Sequence, residues 1–100
     1  MAGRGGAKLA HMRQEVEYFD EREPVLVHIA GTLRGALKLE RILTEYGLEY
    51  YVETDRYVSG FLFASEKTGA FFYVAEDRAD EARAILRRHR FQVQHERKTE

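Results

Sequence analysis

Twice along this chain an apolar strand pattern leads directly into an amphipathic helix pattern, and this repeated order constrains the fold most. The run VLVHIA at 25–30 is rich in branched residues and precedes a helical spacing of apolar residues at 33–46. The run AFFYVA at 70–75 precedes a second helical spacing at 77–90, which opens with acidic residues and ends with arginines. Between them, 48–54 alternates as a half-buried strand does. The order predicts an α+β domain.

The remaining segments complete the predicted order β-α-β-β-α-β. The dipeptide DR at 55–56 reads as a turn, and whether 57–64 forms an extra hairpin strand stays open because Gly60 interrupts it. The stretch 65–69 reads as a hairpin loop, and 91–94 alternates as a short last strand. Right-handed crossovers then place both helices on one face of an antiparallel sheet. We predict a ferredoxin-like βαββαβ sandwich whose other sheet face is open.

One domain is expected over 23–95. With 100 residues, 44% hydrophobic and 33% charged, the chain suits a single globular core. The start, 1–22, reads as a flexible segment, within which 1–11 is interpreted as a cloning remnant because HM precedes Met12; a native tail is the alternative. Residues 96–100 read as a solvated C-terminal tail.

Charge and cysteine content narrow the expected partners. The chain has 16 basic and 17 acidic residues and a net charge of −1, so no long-range field attracts nucleic acid or an anionic membrane. It has no cysteine, which excludes disulfides and thiolate metal sites and suits the cytoplasm. No apolar run reaches the ~20 residues of a membrane span. No histidine or carboxylate grouping has metal-ligand spacing, so neither metal nor cofactor is expected.

Three consecutive aromatic residues at 71–73 set the main functional hypothesis. Neighbours in a strand point to opposite faces, so at least one of these rings cannot enter the core beneath the helices. In the first strand the same alternation places Leu26, His28 and Ala30 on the open face, away from Val25, Val27 and Ile29. The candidate interface or ligand face comprises His28, Tyr51, Phe61 and Phe63 with either Phe71 and Tyr73 or Phe72.

Such a face needs a cover. Three rings of ~200 Å² would expose about 600 Å², which is the upper end of what a monomer shows as one apolar patch. Three covers are open at this point. They are a second copy of the protein, the chain's own VEYF segment at 16–19, or a ligand or partner. Self-association is the first expectation among them.

Two further features could carry chemistry. A helix N-terminus can hold an anion, so the turn AGTLRG makes Gly31, Thr32 and Arg34 a candidate anion site, although ordinary turn chemistry explains Gly31 and Thr32 equally well. His28 would need an acidic partner to act in catalysis, and the sequence names none. We therefore assign no catalytic residue and expect a protein that is not an enzyme.

The stretch from Pro24 to about Leu86 resembles the small prokaryotic signal-transducing proteins that are related in fold to PII. Three pieces carry the resemblance: ERILTEYGLEYYVE, the hairpin TDRYVSGFLFASEKTG, and FFYVAEDRADEARAIL. It implies a ferredoxin-like fold and a regulatory or sensing role. PII proteins bind ATP and 2-oxoglutarate and form trimers; the hairpin at 55–69 would correspond to their long protruding loop but is short. No nucleotide-binding residue is carried over, because no motif matches residue by residue.

These observations predict a small non-enzymatic regulatory or binding module. It would act through the aromatic open sheet face and the 55–69 hairpin, by self-association or by binding a protein partner. The alternative is a binder of a small ligand, such as a nucleotide or an anion, or of single-stranded nucleic acid. That alternative uses the same face together with basic residues, and nucleic acid is the less favoured ligand because the net charge is −1.

Overall fold

The computed structural model describes residues 12–19, 21–59, 62 and 64–95. A 3-10 helix, Val16–Phe19, comes first in the chain. The strands are β1 (Pro24–Ala30), β2 (Tyr51–Ser59) and β3 (Ser65–Ala75); the helices are α1 (Leu33–Glu45) and α2 (Ala79–Arg88), and a 3-10 turn, Glu76–Arg78, precedes α2. The fold is thus a small α+β domain, as the sequence predicts.

The sheet has the strand order β1-β3-β2 and is antiparallel throughout. Both helices pack on one face of it. Their apolar stripes meet side chains of the sheet in a single core, whose largest fully buried members include Leu39, Leu43, Tyr50, Phe72, Val74 and Leu86. This arrangement is consistent with a ferredoxin-like fold, although the described residues form three strands instead of four.

The predicted last strand at 91–94 is extended chain beside β1. Gln94 N–H donates to the carbonyl of Val27 at 2.8 Å, and Phe91 and Val93 pack against the core. Phe91 and Val93 thus face the core at alternate positions, as predicted. With one backbone hydrogen bond to β1, however, the segment is not a strand of the sheet.

Helix α1 begins and ends where the sequence predicts. The hydroxyl of Thr32 accepts a hydrogen bond from Gly35 N–H at 3.0 Å, which caps the first turn. Gly47, at a φ of +70°, ends the helix in the left-handed conformation that glycine adopts without strain. Helix α2 begins later than the helical spacing at 77–90 predicts, because Asp77 lies in the 3-10 turn before it. No side chain caps the helix at Arg78.

A β-bulge in β1 changes which side chains face the helices. Leu26 lies opposite Tyr73, but His28 lies opposite Phe72, so the register shifts at Val27. Val27 and His28 both lie on the helix side as a result, and Ile29 moves to the opposite side with Phe71. The placement of His28 and Ala30 on the open face was therefore wrong.

The hairpin is longer than the sequence predicts. β2 continues through Asp55 and Arg56, which were expected to turn, and β3 includes 65–69, which was expected to be the loop. The β2–β3 register is continuous from Tyr51↔Tyr73 to Ser59↔Ser65, whereas β1 pairs with β3 only over 70–75. Five residue pairs, at 55–59 and 65–69, thus extend beyond β1. These two stretches are called the arm below.

Candidate binding site

The sheet surface away from the helices, called the reverse face below, is lined by aromatic and aliphatic side chains. Its members are Leu26, Ile29, Tyr51, Phe71, Tyr73 and Ala75. Tyr51 and Tyr73 stack with ring centroids 4.9 Å apart and 13° between their planes. Of the triplet, Phe71 and Tyr73 therefore point to the reverse face, and Phe72 points into the core.

The chain's own N-terminal 3-10 helix covers much of the reverse face. Phe19 is 1% exposed and its ring lies 5.1 Å from that of Tyr51, which is also 1% exposed. Tyr73 is 7% exposed, and Phe71 is half-buried. Among the three covers left open by the sequence, the VEYF segment is the one that occupies this face. Part of the segment predicted to be flexible therefore packs on the sheet.

Polar contacts of Tyr18 hold the 3-10 helix in place on the reverse face. The Tyr18 hydroxyl donates to Glu49 Oε1 at 2.5 Å, and the guanidinium of Arg22 lies 4.0 Å from the centre of the Tyr18 ring. Arg22 also donates to the carbonyl of Tyr18. The bond to the Glu49 carboxylate raises the pKa of the Tyr18 phenol above its usual value. The 3-10 helix is thus tied to the chain just before β2.

His28 lies in a separate, mostly apolar environment on the helix side. Its Nδ1–H donates to the carbonyl of Gln92 at 2.7 Å, because a carbonyl can only accept, and its ring meets that of Phe91 edge-on at 5.1 Å. The side chain is 7% exposed. Burial lowers the pKa of His28, and the bond to Gln92 opposes this only in part. His28 holds the C-terminal segment against β1 and does not join the candidate face.

Tyr57 fixes the base of the arm. Its ring meets that of Phe71 edge-on, with the ring centroids 6.2 Å apart. The ring also lies over Gly69, where the Cβ of any larger residue would come within 2.8 Å of Tyr57 Cε1. A Cβ on Gly31 would lie 2.8 Å from the Tyr57 hydroxyl oxygen. Tyr57 thus joins the arm to the turn between β1 and α1, a contact that residue types alone do not reveal.

The rest of the arm is exposed on both sides. Val58 in the arm is 69% exposed, and Leu62, between the two strands of the arm, is 80% exposed. Arg56 pairs across the ladder with Glu66 at 3.3 Å. Phe61 and Phe63, predicted for the candidate face, lie outside the described residues. Exposed apolar side chains on a projecting ribbon are typical of an interaction surface.

β2 is an edge strand, and within the described residues the N-terminal segment pairs with the chain only at Tyr50, just before β2 begins. Arg13 forms a parallel bridge with Tyr50, in which Gln14 N–H donates to the Tyr50 carbonyl at 2.7 Å and Tyr50 N–H donates to Met12 at 3.2 Å. After Gln14 the two backbones diverge. A groove of about 430 Å³ opens there between 13–16 and 51–53.

Side chains hold the N-terminal segment at this edge. The hydroxyl of Tyr50 donates to Glu40 Oε1 at 2.9 Å, and Arg13 lies 3.7 Å from the same carboxylate. Burial raises the pKa of Tyr50 above its usual value, and the Glu40 carboxylate raises it further. Glu40 thus connects α1, β2 and the segment that begins at Met12.

The candidate anion site has its three residues on the surface, but its cap is in use. Gly31, Thr32 and Arg34 are exposed, and the Thr32 hydroxyl already accepts from Gly35. The first turns of α1 also expose Leu33 and Leu37 beside basic side chains at 34, 38 and 41, a surface that the sequence reasoning missed. Helical spacing places these residues on one side of α1, opposite the buried stripe.

The described part of the chain shows neither a metal-holding group nor a membrane-spanning helix. No group of three histidine, aspartate or glutamate side chains within it is arranged to hold a metal ion. No helix within it has the length and apolarity needed to cross a bilayer. No protein-family model, no curated protein and no solved structure matches the chain.

Proposed function

We propose that this chain is a non-enzymatic regulatory binding module that engages a protein partner through its arm. The observation that supports this function most is the β2–β3 ladder, which continues for five pairs after β1 has ended. A ribbon of this kind contributes little apolar burial to the core, because Val58 is exposed on it and Leu62, between its two strands, is exposed as well. Ribbons that project from a rigid sheet are well placed to meet a partner.

The reverse face has a different role in this proposal from the one the sequence suggested. Phe19 already covers Tyr51 and Tyr73, so these rings stabilise the domain and are not available to a partner. Phe71 and Tyr57 connect that covered face to the arm. A partner that binds the arm would thus meet a ribbon whose base is packed on the covered face.

The finer fold and family assignments are also proposals. A ferredoxin-like βαββαβ arrangement is supported by the position of 91–94, which lies beside β1 where a fourth strand would extend the sheet. A role like that of the signal-transducing proteins related to PII is supported by the arm, which under the resemblance would correspond to their protruding loop. The second of these ideas predicts that binding occurs at the end of the molecule that carries the arm.

Selection of peptide ligands with and without the arm tests the proposal. In the arm-shortened variant, residues 56–68 are replaced by an Asn-Gly turn, which joins the hydrogen-bonded pair Asp55 and Gly69 in a tight hairpin. Tyr57→Ala in the full-length chain is the control, because it loses the same ring contact but keeps the arm. A library of random peptides is selected against each of the three proteins.

We expect peptides enriched on the full chain and on Tyr57→Ala to be absent from selections on the arm-shortened variant. Folding of each variant is checked by its amide NMR spectrum. Equal enrichment on the full chain and the arm-shortened variant, or enrichment on neither, contradicts the proposal. Sedimentation velocity on the same proteins tests whether the arm instead joins two copies of the chain.

A further inference from the structure

We infer that the arm's partner is an extended segment that adds as a strand to the outer edge of β2 and carries basic side chains at alternate positions. This inference rests on the proposed function and names the chemistry of the partner. It follows from the hydrogen-bonding pattern of the edge, from a bond that the chain itself makes there, and from the charges beside it.

The bonds of Tyr50 show which backbone groups of β2 point outward. Its N–H and C=O both bond to the N-terminal segment, away from β3. Backbone groups of alternate residues in a strand point the same way, and the β2–β3 register has no irregularity from Tyr51 to Ser59. The N–H and C=O groups of Val52, Thr54, Arg56 and Val58 therefore point outward along one free edge.

Within the described residues, no backbone group bonds to the outward N–H or C=O of Val52, Thr54 or Val58. Arg56 differs, because its N–H donates to Asp55 Oδ1 at 2.7 Å. A carboxylate that caps an edge amide blocks one rung of pairing, as charged groups on edge strands commonly do. Among the described residues, the edge thus has three positions without a backbone partner and one capped position, which limits how a strand can align.

The chain itself pairs with the residue just before this edge. The segment from Met12 to Gln14 pairs in parallel at Tyr50 and then leaves, which opens the groove beside Val52 and Glu53. An incoming strand fits this groove at one end and runs along the arm. Main-chain bonds then give affinity, and side chains at alternate positions give selectivity.

The charges favour a basic partner strand. Glu53 and Asp55 follow Tyr51 at alternate positions, so both carboxylates lie on the reverse side of β2, and Glu15 lines the groove beside them. Arg56, at the next position in the strand, lies on the other side and pairs with Glu66. Lysine or arginine side chains at alternate positions of the partner would lie opposite Glu53 and Asp55, where opposite charges stabilise pairing.

The same charges disfavour a second copy of β2 as the partner. In an antiparallel pair of identical strands, a two-fold axis at Asp55 sets two carboxylates opposite each other, and an axis at Arg56 sets two guanidinium groups opposite each other. An axis at Thr54 pairs Glu53 with Asp55. Like charges in these positions destabilise a sheet. An axis at Tyr57 avoids like-charge pairs, but it leaves Thr54 with no residue of the partner's β2 opposite it, because that strand ends at Ser59.

Three synthetic peptides with blocked ends test the inference. The first alternates, Val-Lys-Thr-Lys-Thr-Lys-Val; the second replaces each lysine by glutamate; the third has the composition of the first with its lysines in one block. Dissociation constants are measured by calorimetry, and the binding surface is mapped by amide NMR shifts. We expect the alternating lysine peptide to bind at least about tenfold more tightly than the other two, a difference of about 1.4 kcal/mol.

Variants of the edge separate strand addition from simple charge attraction. Thr54→Pro removes an outward N–H without removing a β2–β3 bond, so it should weaken binding about tenfold, whereas Thr54→Val should leave it within about threefold. Glu53→Lys/Asp55→Lys should reverse the preference, so that the glutamate peptide binds better. The inference would be overturned by any of three results. The alternating and the block lysine peptides could bind equally tightly, Thr54→Pro could bind the alternating peptide as tightly as the unaltered protein does, or the amide NMR shifts could be confined to α1.

The two proposals fail in different ways. If selection yields arm-dependent peptides that are acidic or helical, the inferred strand chemistry is wrong and the proposed function stands. If no selected or synthetic peptide depends on the arm, the proposed function itself is wrong.

Discussion

Phe19 is the residue on which the cover of the reverse face depends. Its ring is 1% exposed and packs on Tyr51, and the 3-10 helix that carries it has no other buried residue. We predict that Phe19→Ala lowers the free energy of unfolding by about 3–5 kcal/mol, the usual cost of removing a buried phenylalanine ring. Urea denaturation measures the change.

Tyr18→Phe is the matched control for this prediction. It removes only the hydroxyl that donates to Glu49 and keeps the ring under Arg22, so it should lower the free energy of unfolding much less than Phe19→Ala does. If Phe19→Ala costs no more than this control, the 3-10 helix does not cover the sheet in solution.

His28 should make stability depend on pH. Burial lowers its pKa in the folded protein, so the unfolded chain takes up a proton first as the pH falls below about 6.5. The free energy of unfolding should therefore decrease between pH 7.5 and pH 5, and His28→Gln should flatten this slope because glutamine can still donate to the Gln92 carbonyl. Denaturation curves at several pH values measure it, and equal slopes for the two proteins would refute the prediction.

At the scale of elements, the sequence predicted those parts whose burial follows a regular period. The helical spacing of apolar residues at 33–46 predicted α1 almost as it is observed, at Leu33–Glu45. The arm was predicted only in part: a hairpin was expected at 55–69, with an extra strand at 57–64 left open, but its ladder is longer than expected. Beyond Tyr57 and Gly69 at its base, the side chains of the arm meet solvent, so the apolar alternation that marks a strand disappears. Asp55 and Arg56 resemble turn residues in the sequence, but both lie within the β2–β3 ladder. The Asp55 carboxylate accepts from the outward N–H of Arg56, and the Arg56 guanidinium pairs with Glu66 on the neighbouring strand.

The candidate face was predicted in part for a related reason. Tyr51, Phe71 and Tyr73 share the reverse face because β2 and β3 pair without interruption. His28 does not, because a bulge at Val27 reverses the alternation and nothing in VLVHIA marks it. The sequence therefore indicated the correct face for β2, left two alternatives for β3, and indicated the wrong face for the second half of β1.

The contact between the arm and the β1–α1 turn can be tested as a pair. Gly31→Ala places a methyl group against the Tyr57 hydroxyl, which should destabilise the fold by about 1 kcal/mol. Tyr57→Phe removes that oxygen, so Gly31→Ala should cost clearly less in the Tyr57→Phe background. Thermal denaturation of the four proteins in this cycle gives the coupling. Additive effects would show that Tyr57 does not reach the turn.

For the whole molecule, the N-terminal segment decides whether the protein shows an aromatic surface. We predict that a chain beginning at Glu23 binds a hydrophobic dye and associates with increasing concentration, because Tyr51, Tyr73 and Leu26 lose the cover of Phe19. A chain beginning at Met12 keeps that cover and the pairing at Tyr50, so it is the matched control. Dye fluorescence and sedimentation velocity measure the two effects.

The full-length chain carrying Phe19→Ser makes this prediction independent of the deletion. It retains the length and the pairing of the segment but cannot fill the space over Tyr51, so it should behave like the chain that begins at Glu23. Both altered chains should then form assemblies whose size depends on the reverse face and is unaffected by shortening the arm. If they stay monomeric and bind no more dye than the Met12 chain, the 3-10 helix is not what keeps the aromatic rings from water.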